Sequence, residues 1–530
     1  MGPRLIVLGW DSATFDVVDP LLQDGRLPAL ASLIERGVRA PLRSTWPPMT
    51  DCAWTSVFTG RNPGGHGIFG SWYRAPGSYA CRYFSSRDRR APALWELTEG
   101  VRHLVWNVPM AFPPSPIEGV MVAGYGAPPG STFCSPSEFQ SRLAARWSLE
   151  DLLDRAPHGS LEAFLDDLLR GMAAQAEALT WAIAESGADV VEAVWPHIDR
   201  AQHFFWAARG SSGPLGDAIE RVHEAVDGAT GRIVEAFPEA DVVVLSDHGA
   251  GPLHGDVNLG AWLAARGDAV YGTPRRSIVT SVAWAMPPAL RRAAKRVAPG
   301  LARRAVGASL TGQLGAFDWS RTRAFMGFHG DLWLNLRGRE PNGTVEPNDA
   351  DEILEELSTG LLALRDESRD EPVFAAAHRR DRIYSGAAVA SAPDLVLDSW
   401  SRGYRVAPSR GPSDEYVSRP HSLSGVSEAW SSDHRPVGLL AAAGPRIRPA
   451  GRVDELHLYD VLPTALAALG LEVPGDMDGR VATEVIDERW LSEHPVTTGD
   501  STAARRTESD YSDEEAAAVA EHLKDLGYIE

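Results

Sequence analysis

Cysteine is scarce. Cys52, Cys81 and Cys134 are the only three in 530 residues. They are odd in number, far apart and never arranged as CxxC, which argues against a disulfide framework and against a thiolate metal site. Long apolar runs are also missing, and none reaches the length of a membrane span. The N-terminal MGPRLIVLGWD holds a brief apolar stretch that Asp11 cuts off, too short for the core of a secretory signal and without a small-residue cleavage site. The expectation is a cytoplasmic protein with no integral membrane segment. Positive charge is in deficit as well: 51 Lys and Arg face 71 Asp and Glu, a formal charge of −20. A general nucleic-acid binder needs a basic face to meet phosphates, so that class is disfavoured. A small anionic substrate is still allowed, because a metal ion reverses the local field.

What is present is a series of short apolar runs that end in polar or acidic residues. They are RLIVLGWD (4–11), HLVWNVP (103–109), GVMVAGYG (119–126), DVVEAVWPHID (189–199), DVVVLSDHG (241–249), APDLVLD (392–398) and VGLLAAAGP (437–445). Unbroken Val/Ile/Leu runs of this length suit strands buried on both faces. Between them, LEAFLDDLLRGMAAQAEALTWAIAES (161–186) and IERVHEAVDGATGRIVEAF (219–237) carry helical periodicity. This alternation predicts an α/β fold with a mostly parallel sheet sandwiched by helices. Ligands of such sheets bind beyond the carboxyl ends of the strands, where Asp11, Asp199 and Asp247 fall.

The alternation breaks after residue 258. Residues 271–310 are rich in arginine, and a basic stretch covers 291–304. WLNLRGREPNGTVEP (333–347) reads as a hairpin turning at Asn342-Gly343, and 350–366 reads as a helix. The expected organisation is a catalytic core in two parts, 1–258 and 392–490, with an inserted smaller cap domain at 259–391. A polar linker and C-terminal helix at 491–530 follow, the helix opening on a capping box at Ser512 and Glu515. Nothing in the sequence fixes an oligomeric state.

Five pieces of sequence carry chemistry. Asp11 follows the first strand. Thr50 lies in the hydroxyl- and glycine-rich TWPPMTDCAWTSVFTGRNPGGHG (45–67). Asp199 and His203 form D-x-x-x-H, Asp247-His248 ends a strand, and His434 lies in SSDHRPVG. Singly, each has an ordinary structural reading: a turn or cap residue, a solvated i, i+4 pair, loop chemistry. Thr50 in particular is placed to cap the helix DCAWTSVFTG. Together they offer three carboxylates, three imidazoles and one hydroxyl, a set without thiolate that suits zinc or manganese in a hydrolytic site. Two ions about 4 Å apart can clamp the attacking and leaving oxygens of a phosphoryl group.

The order of these motifs resembles the alkaline phosphatase superfamily, and within it the type I phosphodiesterase/nucleotide pyrophosphatase branch, often described as predicted phosphohydrolases or phosphomutases. The matching segments are GWDSATFDVVDPLL (9–22), PPMTDCAWTSVFTGRNPGGHGIFG (47–70), DRAQHFFW (199–206), LSDHGAG (245–251), DHRPVGLLAAAGPRI (433–447) and DVLPTALAALGLEVPGDMDGR (460–480). The resemblance implies that Asp11, Thr50, Asp247 and His248 surround one divalent ion and that Asp199, His203 and His434 bind a second. The ions would be zinc, with manganese as the alternative. It implies that Thr50 is a metal-activated nucleophile that forms a phosphothreonine, and that the substrate is a small phosphate ester, a diester ahead of a monoester. A phosphomutase or phosphotransferase, and a non-catalytic metal-binding protein on the same fold, are the alternatives.

The chain departs from the branch after HGI, where Phe69, Gly70, Ser71 and Trp72 replace the stretch that carries a phosphate-binding asparagine in the nucleotide pyrophosphatases. The sulfatase motif is missing around Cys52. His66 and His254 are expected to serve loop hydrogen bonds. Arg337 and Arg339 could reach a second anionic group or remain solvated.

Overall fold

The computed structural model of the chain describes residues 2–74, 77–79, 81–128, 130–149, 160–272, 317–327, 330–407, 413–420, 430–449 and 451–502. The expected basic stretch 291–304 and the C-terminal helix lie outside these residues.

The apolar runs become the strands of one large sheet. In chain order the elements that position the site begin with β1 (Leu5–Trp10), β2 (Val38–Arg43), α1 (Thr50–Thr59), β3 (His103–Trp106), β4 (Gly119–Val122) and β5 (Cys134–Ser135). There follow α2 (Leu161–Ser186), β6 (Val190–Trp195), α3 (His197–Phe205), α4 (Ala218–Ala236), β7 (Asp241–Leu245) and β8 (Gly249–Pro252). Then come β9 (Ala324–Met326), β10 (Asp331–Leu334), α5 (Ala350–Leu362), β11 (Ala376–Arg379), β12 (Leu395–Asp398), β13 (Ser432–Arg435), β14 (Val437–Ala443), β15 (Gly451–Arg452) and β16 (Leu456–His457). The main sheet runs β15-β2-β14-β7-β1-β6-β3-β4-β5, with β16 also beside β2. β7, β1, β6, β3 and β4 are mutually parallel, whereas β14 is antiparallel to both its neighbours.

Every residue of β1 is buried, as its unbroken apolar sequence demands. Ile6, Leu8 and Trp10 enter the core on one face, where α2 and α4 pack. Leu5 and Val7 enter the other, with Ala53, Trp54, Val57 and Phe58 of α1. α2 begins where Ser160 Oγ accepts from the amide of Ala163, and it stops at Gly187, whose φ of 60° only glycine adopts cheaply.

Strand direction then decides where the chemistry collects. β1, β6 and β7 run in register and end at one edge, where Asp11, Asp199 and Asp247-His248 follow. β14 runs the other way, so its beginning lies at that same edge; Leu440 faces Leu245, and His434 precedes it there. β2 is antiparallel to β14, with Arg43 opposite Val437, and so delivers the loop before Thr50 to this edge too.

A second sheet of four antiparallel strands, β9-β10-β12-β11, forms with α5 around its own core of Leu332, Leu334, Leu357, Leu361, Leu395 and Leu397. β12 was expected to rejoin the main sheet. It belongs here instead, because β10 takes one of its edges and β11 the other. The expected hairpin at 333–347 is also replaced. Only single bridges join its arms. The segment folds as a loop around Asn335, whose side-chain amide donates to the carbonyls of Trp319, Thr322 and Asn342. Chain leaves the main body through β8 and returns through β13, which pair antiparallel with Ala250 opposite His434.

Candidate metal centre

Asp11 sits one residue past β1. Ser12 next to it adopts a φ of 68°, a left-handed turn that ordinary residues avoid. The turn is held from both sides: the Ser12 amide donates to Asp247 Oδ1 at 3.2 Å, and Gln202 Nε2 donates to the Ser12 carbonyl at 2.8 Å. Trp54 Nε1 donates to Asp11 Oδ2 at 3.0 Å, which leaves Oδ1 buried and without a partner. The Trp54 ring reaches this position only because residue 9 is glycine; a Cβ there would lie 2.3 Å from the ring. Gly9→Ala is therefore expected to displace Trp54 and loosen Asp11, lowering stability by about 1–3 kcal/mol. Thermal melts and metal content of the variant read both effects.

Two sets of three ligands form at the edge. Asp11, Asp247 and His248 make one, and Asp199, His203 and His434 the other; within each, the candidate ligand atoms lie within 4.8 Å of one another and all three residues are buried. His248 Nε2 is 3.2 Å from Asp247 Oδ2 and 3.9 Å from Asp11 Oδ1. Asp199 Oδ1 is 3.1 Å from His203 Nε2 and 3.7 Å from His434 Nε2. The i, i+4 spacing of Asp199 and His203 on α3 brings them together, as helix geometry requires. The sets adjoin through the rings of His248 and His434, stacked with centroids 3.7 Å apart.

Each imidazole is oriented from behind. Nδ1 of His203 donates to the Ser432 carbonyl at 3.0 Å, that of His248 to Gly249 at 3.1 Å and that of His434 to Pro48 at 2.8 Å. These bonds place a proton on each Nδ1 and turn each Nε2 toward the site, so that the neutral imidazole is the tautomer a metal ligand needs. Asp11 Oδ1, Asp199 Oδ1, Asp247 Oδ2 and His203 Nε2 are buried with no hydrogen-bond partner. Buried polar atoms are rarely left so, and inward-facing carboxylate and imidazole donors without thiolate fit a hard or borderline divalent cation.

The charges make the same point. Burial pushes the Asp11 carboxyl well above the ordinary carboxylate range, and Asp247 and Asp199 nearby push it further. Burial also raises Asp247, with Asp199 adding to it. For Asp199 the upward push of burial is outweighed by His203 and then His434, so its carboxyl stays below the usual range. Burial lowers His248 and His434. Carboxylates crowded in a water-poor site repel one another unless cations lie between them.

Thr50 stands at the start of α1, but it does not cap the helix. Met49 occupies that position, without a side-chain cap bond. The helix begins one residue earlier than expected, and the Thr50 hydroxyl is released toward the site, where Oγ1 lies 3.3 Å from His248 Nε2. The other nucleophilic candidate in this loop is turned away. The Cys52 thiol donates to the carbonyls of Pro47 and Met49, and burial pushes it up to about 12.

The peripheral candidates lie elsewhere. His66 is fully buried and bonded to Ser56 Oγ and the Ile68 amide. His254 rests against the Tyr404 ring. Arg337 is exposed and pairs with Glu346, and Arg339 is bidentate on Asp394. Sequence reasoning missed three supports: Trp54 behind Asp11, Pro48 behind His434, and Trp430, which stacks on His203 at 4.0 Å. No motif announces Trp430. Pro48 acts through its carbonyl, which any residue would supply.

A family model described as type I phosphodiesterase / nucleotide pyrophosphatase matches residues 5–424, a span that includes Thr50 and every candidate ligand above except His434. No curated protein matches the chain. Among the described residues, no helix is long and apolar enough to cross a membrane.

Proposed function

Because the chain belongs to the type I phosphodiesterase/nucleotide pyrophosphatase family, within the alkaline phosphatase superfamily, we propose that it is a metal-dependent phosphodiesterase that acts through Thr50. The observation that carries this reading is the Thr50 hydroxyl, 3.3 Å from His248 Nε2 at the junction of two buried ligand sets. Asp11, Asp247 and His248, with Thr50, would hold one divalent ion, and Asp199, His203 and His434 a second. Two such ions, zinc by preference over manganese, would lower the pKa of the Thr50 hydroxyl and offset charge on the phosphoryl group.

The chain's own residues do the rest. Thr50 Oγ1 gives up its proton and attacks phosphorus, an oxygen–phosphorus bond forms as the bond to the first alcohol breaks, and that alcohol leaves with the electron pair and takes up a proton in exchange. Water then attacks the phosphothreonine, releases the monoester and restores the hydroxyl. Thr50 is the first residue of α1, so the amides of that turn point out of the helix toward the phosphoryl oxygens and stabilise their charge. His203, His248 and His434, fixed by backbone carbonyls, keep their Nε2 atoms in place through the cycle.

Hydrolysis of bis-p-nitrophenyl phosphate is the test. Turnover is expected from zinc- or manganese-loaded protein and absent after chelation. Metal-loaded protein that cleaves no phosphate ester would overturn the reading.

A further inference from the structure

The turn that leads to Thr50 is held from the side of the second sheet. Its sequence, Thr45-Trp46-Pro47-Pro48-Met49, contains two prolines, and proline has no N–H to give. The turn is therefore fixed largely through its carbonyls. That of Pro47 accepts from the Met49 amide at 2.9 Å, from Thr45 Oγ1 at 2.7 Å and from Cys52 Sγ at 3.1 Å. These bonds set the shape of the turn but not its place, because each donor belongs to the turn or to the helix it opens. The Pro48 carbonyl accepts from His434. The Trp46 carbonyl accepts from the hydroxyl of Tyr384 at 2.7 Å. Among the described residues, these last two are the carbonyls of the turn that bond beyond it and α1.

Tyr384 comes from the chain between β11 and β12. Its ring is buried and packs in one cluster with Met49, Phe69 and Phe84. Burial raises the phenol well above its ordinary value, so the hydroxyl keeps its proton and donates. β11 adds His378, whose ring centroid lies 4.6 Å from that of Trp46. The residues after Tyr384 grip the far end of α1. The Ser385 amide donates to Asn62 Oδ1 at 3.2 Å, and Asn62 Nδ2 donates to Ser385 Oγ at 2.7 Å. The Ala388 amide donates to the Gly64 carbonyl at 2.8 Å. The chain from Tyr384 to Ala388 thus spans α1, bonded to the turn before Thr50 and to the loop after Thr59.

Pro47 and Pro48 have fixed φ angles, so a shift at Trp46 passes along the turn instead of being absorbed by it. The Thr50 hydroxyl stands at the end of that link, 3.3 Å from His248 Nε2. We propose that Tyr384 is a positioning residue for attack on phosphorus: its hydroxyl fixes the Trp46 carbonyl and, through the stiff Pro47-Pro48 link, the place of the Thr50 hydroxyl beside His248. This assignment rests on the phosphodiesterase reading above. It gives the chain of the second sheet a part in the reaction that needs no contact with substrate.

Tyr384→Phe removes one oxygen and keeps the ring. It is expected to lower kcat for bis-p-nitrophenyl phosphate by about tenfold, part of the roughly hundredfold that a 1 Å misplacement of a reacting group costs. KM and metal content should not change. Tyr404→Phe is the matched control. It removes another buried hydroxyl bond, to Asp366 Oδ2 at 2.9 Å, in the core of the second sheet. It should lower the melting temperature as Tyr384→Phe does and leave kcat at the wild-type value. In Thr50→Ala protein, Tyr384→Phe should take nothing further from the residual rate, because a residue that acts through the Thr50 hydroxyl has nothing left to act on. A further loss there overturns the assignment, as does an equal kcat loss in Tyr404→Phe or a wild-type kcat in Tyr384→Phe.

Hydrogen exchange separates this assignment from the reading it rests on. Amides of the peptide covering residues 45–60 should exchange faster in Tyr384→Phe than in wild type, whether or not the protein cleaves esters. Faster exchange in a protein that hydrolyses no ester would keep the hold of Tyr384 on the turn and remove the phosphodiesterase. Ester hydrolysis with equal exchange and equal kcat in both proteins would do the reverse.

Discussion

Replacing Thr50 by alanine is expected to lower turnover of bis-p-nitrophenyl phosphate by about four orders of magnitude or more, the scale on which a removed nucleophile is felt. The metal content should remain, because six carboxylate and imidazole donors are untouched. Serine at the same position should restore most of the rate, since it keeps the hydroxyl at the head of α1. No substitute is at hand in the loop: Cys52 lies two residues on, but its thiol faces the Pro47 and Met49 carbonyls and stays protonated. Steady-state kinetics with metal analysis on the same samples decide the matter. Thr50→Ala at near wild-type rate would mean that water attacks phosphorus directly.

The second large effect concerns the metal-free protein. Chelation should abolish activity and lower the melting temperature by roughly 5–10 °C, because ions bound only by the folded chain stabilise it by mass action. Without them Asp11 and Asp247 remain buried beside Asp199, and burial and mutual repulsion both disfavour their charged forms. Asp247→Asn removes one of these charges while the Ser12 amide keeps an oxygen acceptor. The variant should be inactive with metal, yet its stripped form should melt above stripped wild type. Scanning calorimetry with and without chelator measures both signs. An Asp247→Asn protein that melts lower in both states would mean that the carboxylate is structural rather than reserved for a cation.

Much of this site was legible because strand ends announce themselves. A buried strand such as β1 is apolar throughout, so the first acid after it marks the edge of the sheet; Asp11 follows β1 directly, and Asp247 follows β7 after Ser246. Asp199 and His203 were legible through a helical spacing. The start of α1 was not. Threonine is a good cap, and nothing local reveals that Met49 takes that place and that the Thr50 hydroxyl lies beside His248 instead. β12 was misplaced for a related reason. LVLD reads as a buried strand in any sheet, and which edges it fills depends on β10 and β11, far off in sequence. Trp54 and Trp430 act through packing across the fold, and packing partners carry no sequence period.

The β8–β13 ribbon has a bearing on the order of assembly. Arg435 donates to the Pro252 carbonyl across 183 positions, so His434 reaches the sheet edge only after the whole intervening segment has been made. A nascent chain halted before β13 would already hold Asp11, Asp247 and His248 but would lack a member of the other triad. Any ion taken by that second set would therefore be captured only after β13 has been made and the excursion through the second sheet has closed on itself.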